Sequence, residues 1–174
     1  VSATWVDHTK PTLQAVQMLA ALGHKRIGLL TRPADALFYS QVFDGFRRGM
    51  EEAGLEVDES MIPIFPTFSS LLAYSAMKRL LELPKPPTAI IASRDIYAEG
   101  AFHAISEAKL VVGRDISMIG FDDVTWPLKD KFLTTFREPC EEMGAEAVRM
   151  LMDRVVNGWR PPEKKEIEAP FVLR

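Results

Sequence analysis

The sequence lacks several features that whole classes of protein require. It contains one cysteine, Cys140, which excludes an intrachain disulfide and is typical of the reducing cytoplasm. Its 21 basic residues are outnumbered by 24 acidic ones, so the chain lacks the basic face with which proteins bind nucleic acid directly. No apolar run approaches the ~20 residues of a membrane span, and the N-terminal segment VSATWVDHTK lacks the pattern of a signal peptide. We therefore expect a cytoplasmic protein that neither enters a membrane nor holds DNA by itself.

Sequence motifs of the common enzyme classes are also missing. There is no G-x-S-x-G nucleophile elbow, no G-x-x-x-x-G-K-[ST] phosphate loop and no G-x-G-x-x-G dinucleotide fingerprint. The three histidines, His8, His24 and His103, show no metal-ligand spacing with one another or with Cys140. We therefore expect no enzymatic activity, no bound metal and no cofactor.

What the sequence does contain is an alternation of apolar runs and helical patterns. The runs predict strands at residues 26–31, 61–65, 88–92, 116–120, 132–136 and 167–173. Helical spacing predicts helices at residues 11–22, 37–53, 69–83, 96–107 and 141–157. Pro63 inside the second strand suggests an edge position or an early end to its pairing. The alternation predicts an α/β fold with a doubly wound parallel sheet.

In such sheets ligands bind beyond the carboxyl ends of the strands, and the stretch DISMIGFDDV delivers two adjacent acids there. Adjacent residues on a turn usually point apart, so Asp122 and Asp123 are poor candidates for a catalytic pair acting on one bond. A carboxylate at a strand end can accept ligand hydroxyls, and an aspartate in a loop commonly accepts backbone N–H bonds. We expect Asp122 to face the ligand and Asp123 to face the turn.

Six segments, in order along the chain, carry a resemblance to a known family. They are LGHKRIGLLT, FDGFRRGMEEAGL, PTAIIASRDIYAEGAFHAI, RDISMIGFDDV, LTTFREPCEEMGAEAVRML and the terminal FVLR. Together they resemble the effector-binding domain of the LacI/GalR family of transcriptional regulators, from about residue 6 to residue 174. The resemblance implies a periplasmic-binding-protein-like fold, in which three crossovers join two α/β subdomains and the ligand lies in the cleft between them.

The resemblance also implies that the chain is only the C-terminal part of such a protein. Residues 24–131 would form the second subdomain, and residues 159–174 the final strand that returns to it. Residues 1–23 (a helix and crossover) and 132–158 would be remnants of the first subdomain. An incomplete subdomain cannot bury its apolar faces alone, so these remnants should be exposed or should pair abnormally.

Site residues follow from the resemblance position by position. Asp122 would lie at the cleft floor and accept hydroxyls of a sugar or similar effector. Phe68 falls where family members often stack an aromatic ring on the ligand, and Phe38 and Asp7 fall at further positions that face the cleft.

Two positions depart from the family pattern. The arginine that grips the effector, three residues before the glycine of R-x-x-G-[FYW], is replaced by Val42. The asparagine of N-D-x-x-A-x-G is replaced by Arg94. If Arg94 is free of Asp95 and Asp122, it can clasp a carboxylate or phosphate and the effector is anionic. If those acids hold Arg94, it is a structural plug. Both alternatives stay open. A neutral sugar as the effector is a third alternative, less favoured because the arginine that usually grips it is missing.

The resemblance implies an effector-sensing and dimerisation domain of a LacI-type regulator, which binds a small polar ligand, sugar-like or anionic. Operator DNA would be bound only through an N-terminal domain absent from this chain. The alternative is a solute-binding protein of a sugar transporter, which a signal peptide would favour.

Family members pair through the sides of their subdomains, so we expect a homodimer. The helix after the second strand and the loop after GFDD would supply the interface. Its candidate residues are Leu71, Tyr74, Trp126 and Leu128.

Overall fold

A computed structural model describes residues 1–124 and 133–174. Its elements are β1 (Ala3–Trp5), α1 (Thr9–Ala21), β2 (Ile27–Leu30), α2 (Leu37–Glu52), α3 (Ser70–Leu81), β3 (Ala89–Ala92), α4 (Asp95–Glu107), β4 (Ser117–Asp122), β5 (Thr134–Arg137), α5 (Cys140–Asn157), β6 (Lys164–Glu166) and β7 (Phe171–Val172). Of the predicted interface residues, Trp126 and Leu128 lie outside the described ranges.

Five of the described strands form one sheet in the order β2-β3-β4-β5-β7, in which the first four run parallel and β7 is antiparallel to β5. Every residue of β2 and β3 is buried, as in a parallel sheet covered on both faces. Helices α3 and α4 cover one face and α1 and α2 the other. The predicted doubly wound α/β fold is confirmed.

The helices on each face pack in close pairs, and glycines make the close approach possible. A Cβ atom at Gly45 of α2 would collide with the backbone carbonyl oxygen of Thr9 in α1. A Cβ atom at Gly100 of α4 would collide with the carbonyl oxygen of Ser70 in α3. Each pair therefore needs glycine at its crossing point.

Helix α1 corrects one expectation about the N-terminal segment. Its Ala15, Val16 and Leu19 are buried in the same apolar cluster as β2 and α2. The exposure expected for residues 1–23 is therefore wrong for α1, because its apolar face is covered by the larger sheet and by α2.

The expected exposure is observed for α5. Of its described residues, Met150 is the buried one. The exposed apolar residues in and just after this helix are Val148, Leu151, Met152, Val155, Val156 and Trp159. Beside it, β1 and β6 form a separate two-stranded parallel sheet. The assignment of residues 1–23 and 132–158 to the first subdomain stays a prediction, although β5, within the second of these ranges, pairs with β4 in the larger sheet.

The predicted strand at residues 61–65 is reduced to an isolated parallel bridge between Thr31 and Ile64, next to a 3-10 turn at Glu59–Met61. Pro63 has no N–H to donate, so pairing along the outer side of β2 stops early, as its position suggested. The last predicted strand, residues 167–173, is shortened to β7.

Candidate functional site

The carboxyl ends of the parallel strands bring charged side chains to one edge of the larger sheet. Arg32 follows β2, Arg94 follows β3, Asp122 ends β4 and Glu138 follows β5. His8, just before α1, joins them through a contact with Glu138. This is the edge where parallel α/β sheets bind ligands.

Arg94 and Asp122 form an ion pair at the centre of this edge. The Arg94 Nη1 atom donates to Asp122 Oδ1, and the backbone N–H of Asp95 donates to Asp122 Oδ2 at 3.4 Å. The Arg94 guanidinium lies 3.9 Å from the centroid of the Phe38 ring, which adds a cation–π contact. Burial raises the pKa of Asp122 in spite of the neighbouring Arg94 charge. Asp122 therefore holds one nitrogen of Arg94, but the Arg94 Nε makes no hydrogen bond within the described residues, so the arginine is not a fully paired plug.

The buried carboxylate of Asp95 accepts hydrogen bonds from β5 and from the segment just after β4. Its Oδ1 accepts a hydrogen bond from Thr135 Oγ1 at 3.1 Å, and its Oδ2 accepts one from the Val124 N–H at 3.0 Å. Burial, followed by the Asp122 charge, raises the pKa of Asp95 to about 7. A Cβ atom at Gly120 would collide with Asp95 Oδ1, so a larger residue there would displace the Asp95 carboxylate. Asp95 therefore joins β4 to β5 and does not hold Arg94.

His8 and Glu138 are in contact at the side of the site. His8 Nε2 lies 3.0 Å from Glu138 Oε2, and His8 Nδ1 lies 3.2 Å from the Val6 carbonyl oxygen. Burial, then the Arg94 charge, lowers the pKa of His8 to about 4, while burial raises the pKa of Glu138. A neutral imidazole carries one ring N–H, so His8 can donate to only one of these two acceptors.

Asp123 turns away from the site and corrects the expectation for its side chain. Instead of accepting backbone N–H bonds, it accepts from Arg137 Nε at 2.7 Å and from Arg174 Nη2 at 2.5 Å. Asp122 and Asp123 have φ values of 121° and 59°, which non-glycine residues rarely adopt. This backbone sends the two adjacent carboxylates in different directions, so Asp123 secures the C-terminal residues.

An aromatic wall lies beside the charged groups. Phe68 is half exposed and stacks on Tyr97 with ring centroids 6.4 Å apart. The Arg32 guanidinium lies 5.0 Å from the Phe68 ring centroid and 5.4 Å from that of Tyr39. The resemblance indicated Phe68, whereas Arg32 was not among the predicted site residues, although its position directly after a predicted strand placed it at the ligand-binding edge.

Two of the predicted site residues lie elsewhere. Val42 is fully buried on the inward face of α2, so it presents no surface to a cleft. The carboxylate of Asp7 accepts the Thr9 N–H at 3.0 Å and lines a groove of about 250 Å³ with Lys10 and Glu166. Neither side chain meets Asp122.

Buried polar atoms without hydrogen bonds gather at the same sheet edge. Among the described residues these atoms are Thr31 Oγ1, Arg32 Nε, Tyr39 Oη, Ser93 Oγ, Arg94 Nε and Tyr97 Oη. The Tyr39 hydroxyl faces the Arg94 guanidinium without the geometry of a hydrogen bond. All six atoms follow β2 or β3 or belong to the helices after them. Buried polar groups are rarely left unpaired, so this concentration marks a place that a polar ligand can complete.

The predicted interface residues on α3 differ in exposure. Leu71 is 69% exposed, whereas Tyr74 packs against the cluster under α3 and α4 and donates to Glu107. Elsewhere within residues 1–124 and 133–174, no three His, Cys, Asp or Glu side chains are grouped as metal ligands. In the same ranges no helix is long and apolar enough to cross a membrane.

The fold and site define a ligand-binding α/β domain, and comparison with known proteins agrees. Residues 16–174 match the family described as periplasmic binding protein-like domain, and the chain belongs to this family. It is 34% identical over 173 residues to the HTH-type transcriptional regulator AglR of Rhizobium meliloti, covering 97% of this chain and 48% of AglR. It is 35% identical over 161 residues to the HTH-type transcriptional repressor PurR of Escherichia coli, covering 92% of this chain and 47% of PurR.

A solved structure extends the similarity to the fold. The LacI family transcriptional regulator from Enterococcus faecium with bound ribose aligns with a TM-score of 0.86 and 25% identity, covering 99% of this chain and 64% of that one. The chain spans about half the length of the curated relatives it matches.

Proposed function

We propose that this chain is the effector-binding and dimerisation domain of a LacI-type transcriptional regulator. The observation that carries the proposal is the ion pair of Arg94 and Asp122, surrounded by unpaired buried polar atoms at the carboxyl edge of the sheet. The names of the matched relatives support a regulator rather than an enzyme or a transporter component.

In this proposal the ion pair recognises hydroxyl groups of a small polar ligand. Asp122 accepts hydrogen bonds from ligand hydroxyls, and Arg94 donates to ligand oxygens while Phe38 holds its guanidinium in place. Phe68, half exposed beside them, stacks on the ligand. The ribose bound to the Enterococcus faecium regulator supports a sugar-like ligand.

We propose that the second subdomain consists of α1 and the five-stranded sheet with its helices. This division follows the two sheets and so departs from the boundaries expected from the sequence: β1, β6 and α5 belong to the first subdomain, whereas α1 and β5 belong to the second. Ligand binding between them draws the subdomains together, and this closure changes the DNA affinity of an N-terminal domain outside this chain. The intact protein is then a cytoplasmic regulator that contacts operator DNA only through that domain.

We propose a homodimer that forms through the side of the second subdomain. Leu71 on α3 is 69% exposed, which supports its place in an interface, and Tyr74 borders it. Trp126 and Leu128, which follow GFDD in the sequence, complete the proposed interface. In analytical ultracentrifugation, Leu71→Asp should weaken the dimer, whereas Leu22→Asp, at an equally exposed position after α1, should not. Equal sedimentation of both variants and wild type would remove α3 from the interface.

The test of the proposed function is a mobility shift with operator DNA and the intact protein. A ligand found by thermal-shift screening of sugars and their acids should change operator affinity. Asp122→Asn should weaken ligand binding at least about tenfold, because a charged acceptor is lost, and should leave operator binding without ligand unchanged. The matched control is Asp58→Asn, since Asp58 is exposed and bonds Ser60 in a turn far from the site. An Asp122→Asn protein that still responds to ligand as wild type does would contradict the proposal.

A further inference from the structure

A second arginine at the site, Arg32, forms no ion pair with an acid among the residues that the structure describes. Within residues 1–124 and 133–174, no carboxylate oxygen lies within 4.0 Å of an Arg32 nitrogen, which is the distance that defines an ion pair. Its guanidinium instead lies near two aromatic rings, Phe68 and Tyr39, and its Nε is buried without a hydrogen bond. A guanidinium has five N–H donors, so most of its hydrogen-bonding capacity is available to a ligand.

The contrast with Arg94 shows which cation can receive a negative charge. Arg94 donates to Asp122, and its ring contact is with Phe38. The charges of Arg94 and Asp122 therefore cancel at short range. The Arg32 charge remains uncompensated within the described part of the chain.

Three buried hydroxyls at the same edge of the sheet as Arg32 also lack hydrogen-bond partners among the described residues. Thr31 is its neighbour in sequence, and the Ser93 N–H donates to the Leu30 carbonyl oxygen at 2.9 Å, which fixes Ser93 beside the end of β2. Tyr97 stacks on the Phe68 ring that contacts Arg32. The hydroxyls of Thr31, Ser93 and Tyr97 are buried and make no hydrogen bond among the described residues. Arg32 and these hydroxyls therefore lie at the same edge of the sheet, and we call this group the polar wall.

We propose that Arg32 binds an anionic group of the effector, a carboxylate or a phosphate. The planar fork of a guanidinium matches both groups with two parallel hydrogen bonds. The hydroxyls of the wall add further contacts, and the Arg94–Asp122 pair takes the uncharged hydroxyls of the ligand. The effector is then an acidic polyol, that is, a sugar acid or a sugar phosphate. This inference rests on the proposed function. It assigns the binding of the anionic group to Arg32 and not to Arg94, which the sequence analysis had considered for that role.

The experiment is isothermal titration of the intact protein with gluconate, glucuronate and glucose 6-phosphate, with glucose as the matched neutral compound. At least one anion should bind wild type more tightly than glucose, and that binding should weaken as ionic strength rises. Arg32→Gln should weaken it about 10- to 100-fold, and Arg32→Lys less, because lysine keeps the charge but loses the fork. The two types of anion distinguish a carboxylate site from a phosphate site.

The control variant is Arg26→Gln, which removes an arginine at the opposite end of β2. Arg26 Nε donates to the Pro86 carbonyl oxygen, far from the site edge in the sheet, so this variant should bind as wild type does. Melting curves of each protein without ligand verify that the variants are folded.

Three results would overturn the inference. They are anion binding that is equal in wild type and Arg32→Gln, tighter binding of glucose than of every anion, and no anion binding to wild type. If neutral sugars still change operator affinity and Asp122→Asn abolishes that change, the proposed function stands while the role of Arg32 falls. If no compound that binds the intact protein changes operator affinity, the proposed function falls instead.

Discussion

Replacing Tyr97 with phenylalanine separates the stability of the site from its ability to bind. The Tyr97 ring is fully buried against Phe65 and Phe68, at centroid distances of 4.9 and 6.4 Å, and its hydroxyl makes no hydrogen bond within the described residues. Burial raises the pKa of this hydroxyl to about 12, so it is a neutral phenol near pH 7. Phenylalanine keeps the ring contacts and removes only the unpaired oxygen.

The expected effects on stability and on binding have opposite signs. A buried hydroxyl without a partner costs about 1–3 kcal/mol, so the Tyr97→Phe protein without ligand should be more stable by about 1 kcal/mol or more. For a protein of this size that is a rise of about 2–4 °C in Tm. If the effector bonds the hydroxyl, the same variant should bind it about 2- to 10-fold more weakly, the value of one neutral hydrogen bond.

Differential scanning calorimetry and isothermal titration measure the two effects in the same samples. Tyr74→Phe is the matched control, because the Tyr74 hydroxyl already donates to Glu107 at the exposed surface. That variant should gain no stability and should keep the affinity of wild type for the effector. A Tyr97→Phe protein that is less stable than both wild type and Tyr74→Phe would refute the reasoning, since its hydroxyl would then have a partner in the ligand-free state.

Three further predictions concern packing and charge. Gly100→Ala should destabilise the protein by about 1–3 kcal/mol in urea unfolding, because a Cβ atom would collide with Ser70. The control is Gly144→Ala, which should not destabilise it, since nothing lies within 4 Å of a Cβ atom there. Equal stability of the two variants would refute the close packing of α3 against α4. Burial raises the pKa of Asp123, but hydrogen bonds from Arg137 and Arg174 outweigh it and hold this pKa below its ordinary value. The stability that these bonds give should therefore be lost as pH falls through about 4 and lower. Asp123→Asn should make stability less dependent on pH in this range, and an unchanged dependence would count against the role of the two arginines. The pKa of Asp95 is raised from 3.8 to about 7, so the folded state binds more protons than the unfolded state between these values. Stability should therefore fall as pH rises from about 4 to about 7. If the Asp95→Asn variant shows the same pH dependence of stability as wild type, Asp95 is not its cause.

Much of the fold was predictable because its signals are local. The apolar runs at β2, β3 and β4 indicate buried strands, and Ser69, where the predicted helix of residues 69–83 begins, caps α3 by accepting the Leu72 N–H at 3.2 Å. The pairing of β1 with β6 was not predictable, because it joins residues about 160 positions apart. The sequence of β6, KKE, has no apolar pattern that marks a strand.

The site was predictable where a side chain directly ends a strand and less so beyond it. Asp122 and Arg94 meet at the sheet edge, as their positions indicated. Arg32 and Glu138 were missed, because the direction of a side chain after a strand depends on the loop that follows. Val42 was placed at the cleft by resemblance alone. A valine side chain has no polar group to bind a ligand or face water, so Val42 packs into the apolar cluster between α2, α1 and the sheet.

The most direct test of the central claim is a crystal structure of the intact protein with its effector bound. The ligand should lie at the carboxyl edge of the five-stranded sheet, within hydrogen-bond distance of Asp122, and should pair hydroxyls that are unpaired here, including that of Tyr97. A ligand bound instead in the groove beside Lys10 and Glu166, with the Tyr97 hydroxyl still unpaired, would contradict the assignment of the site.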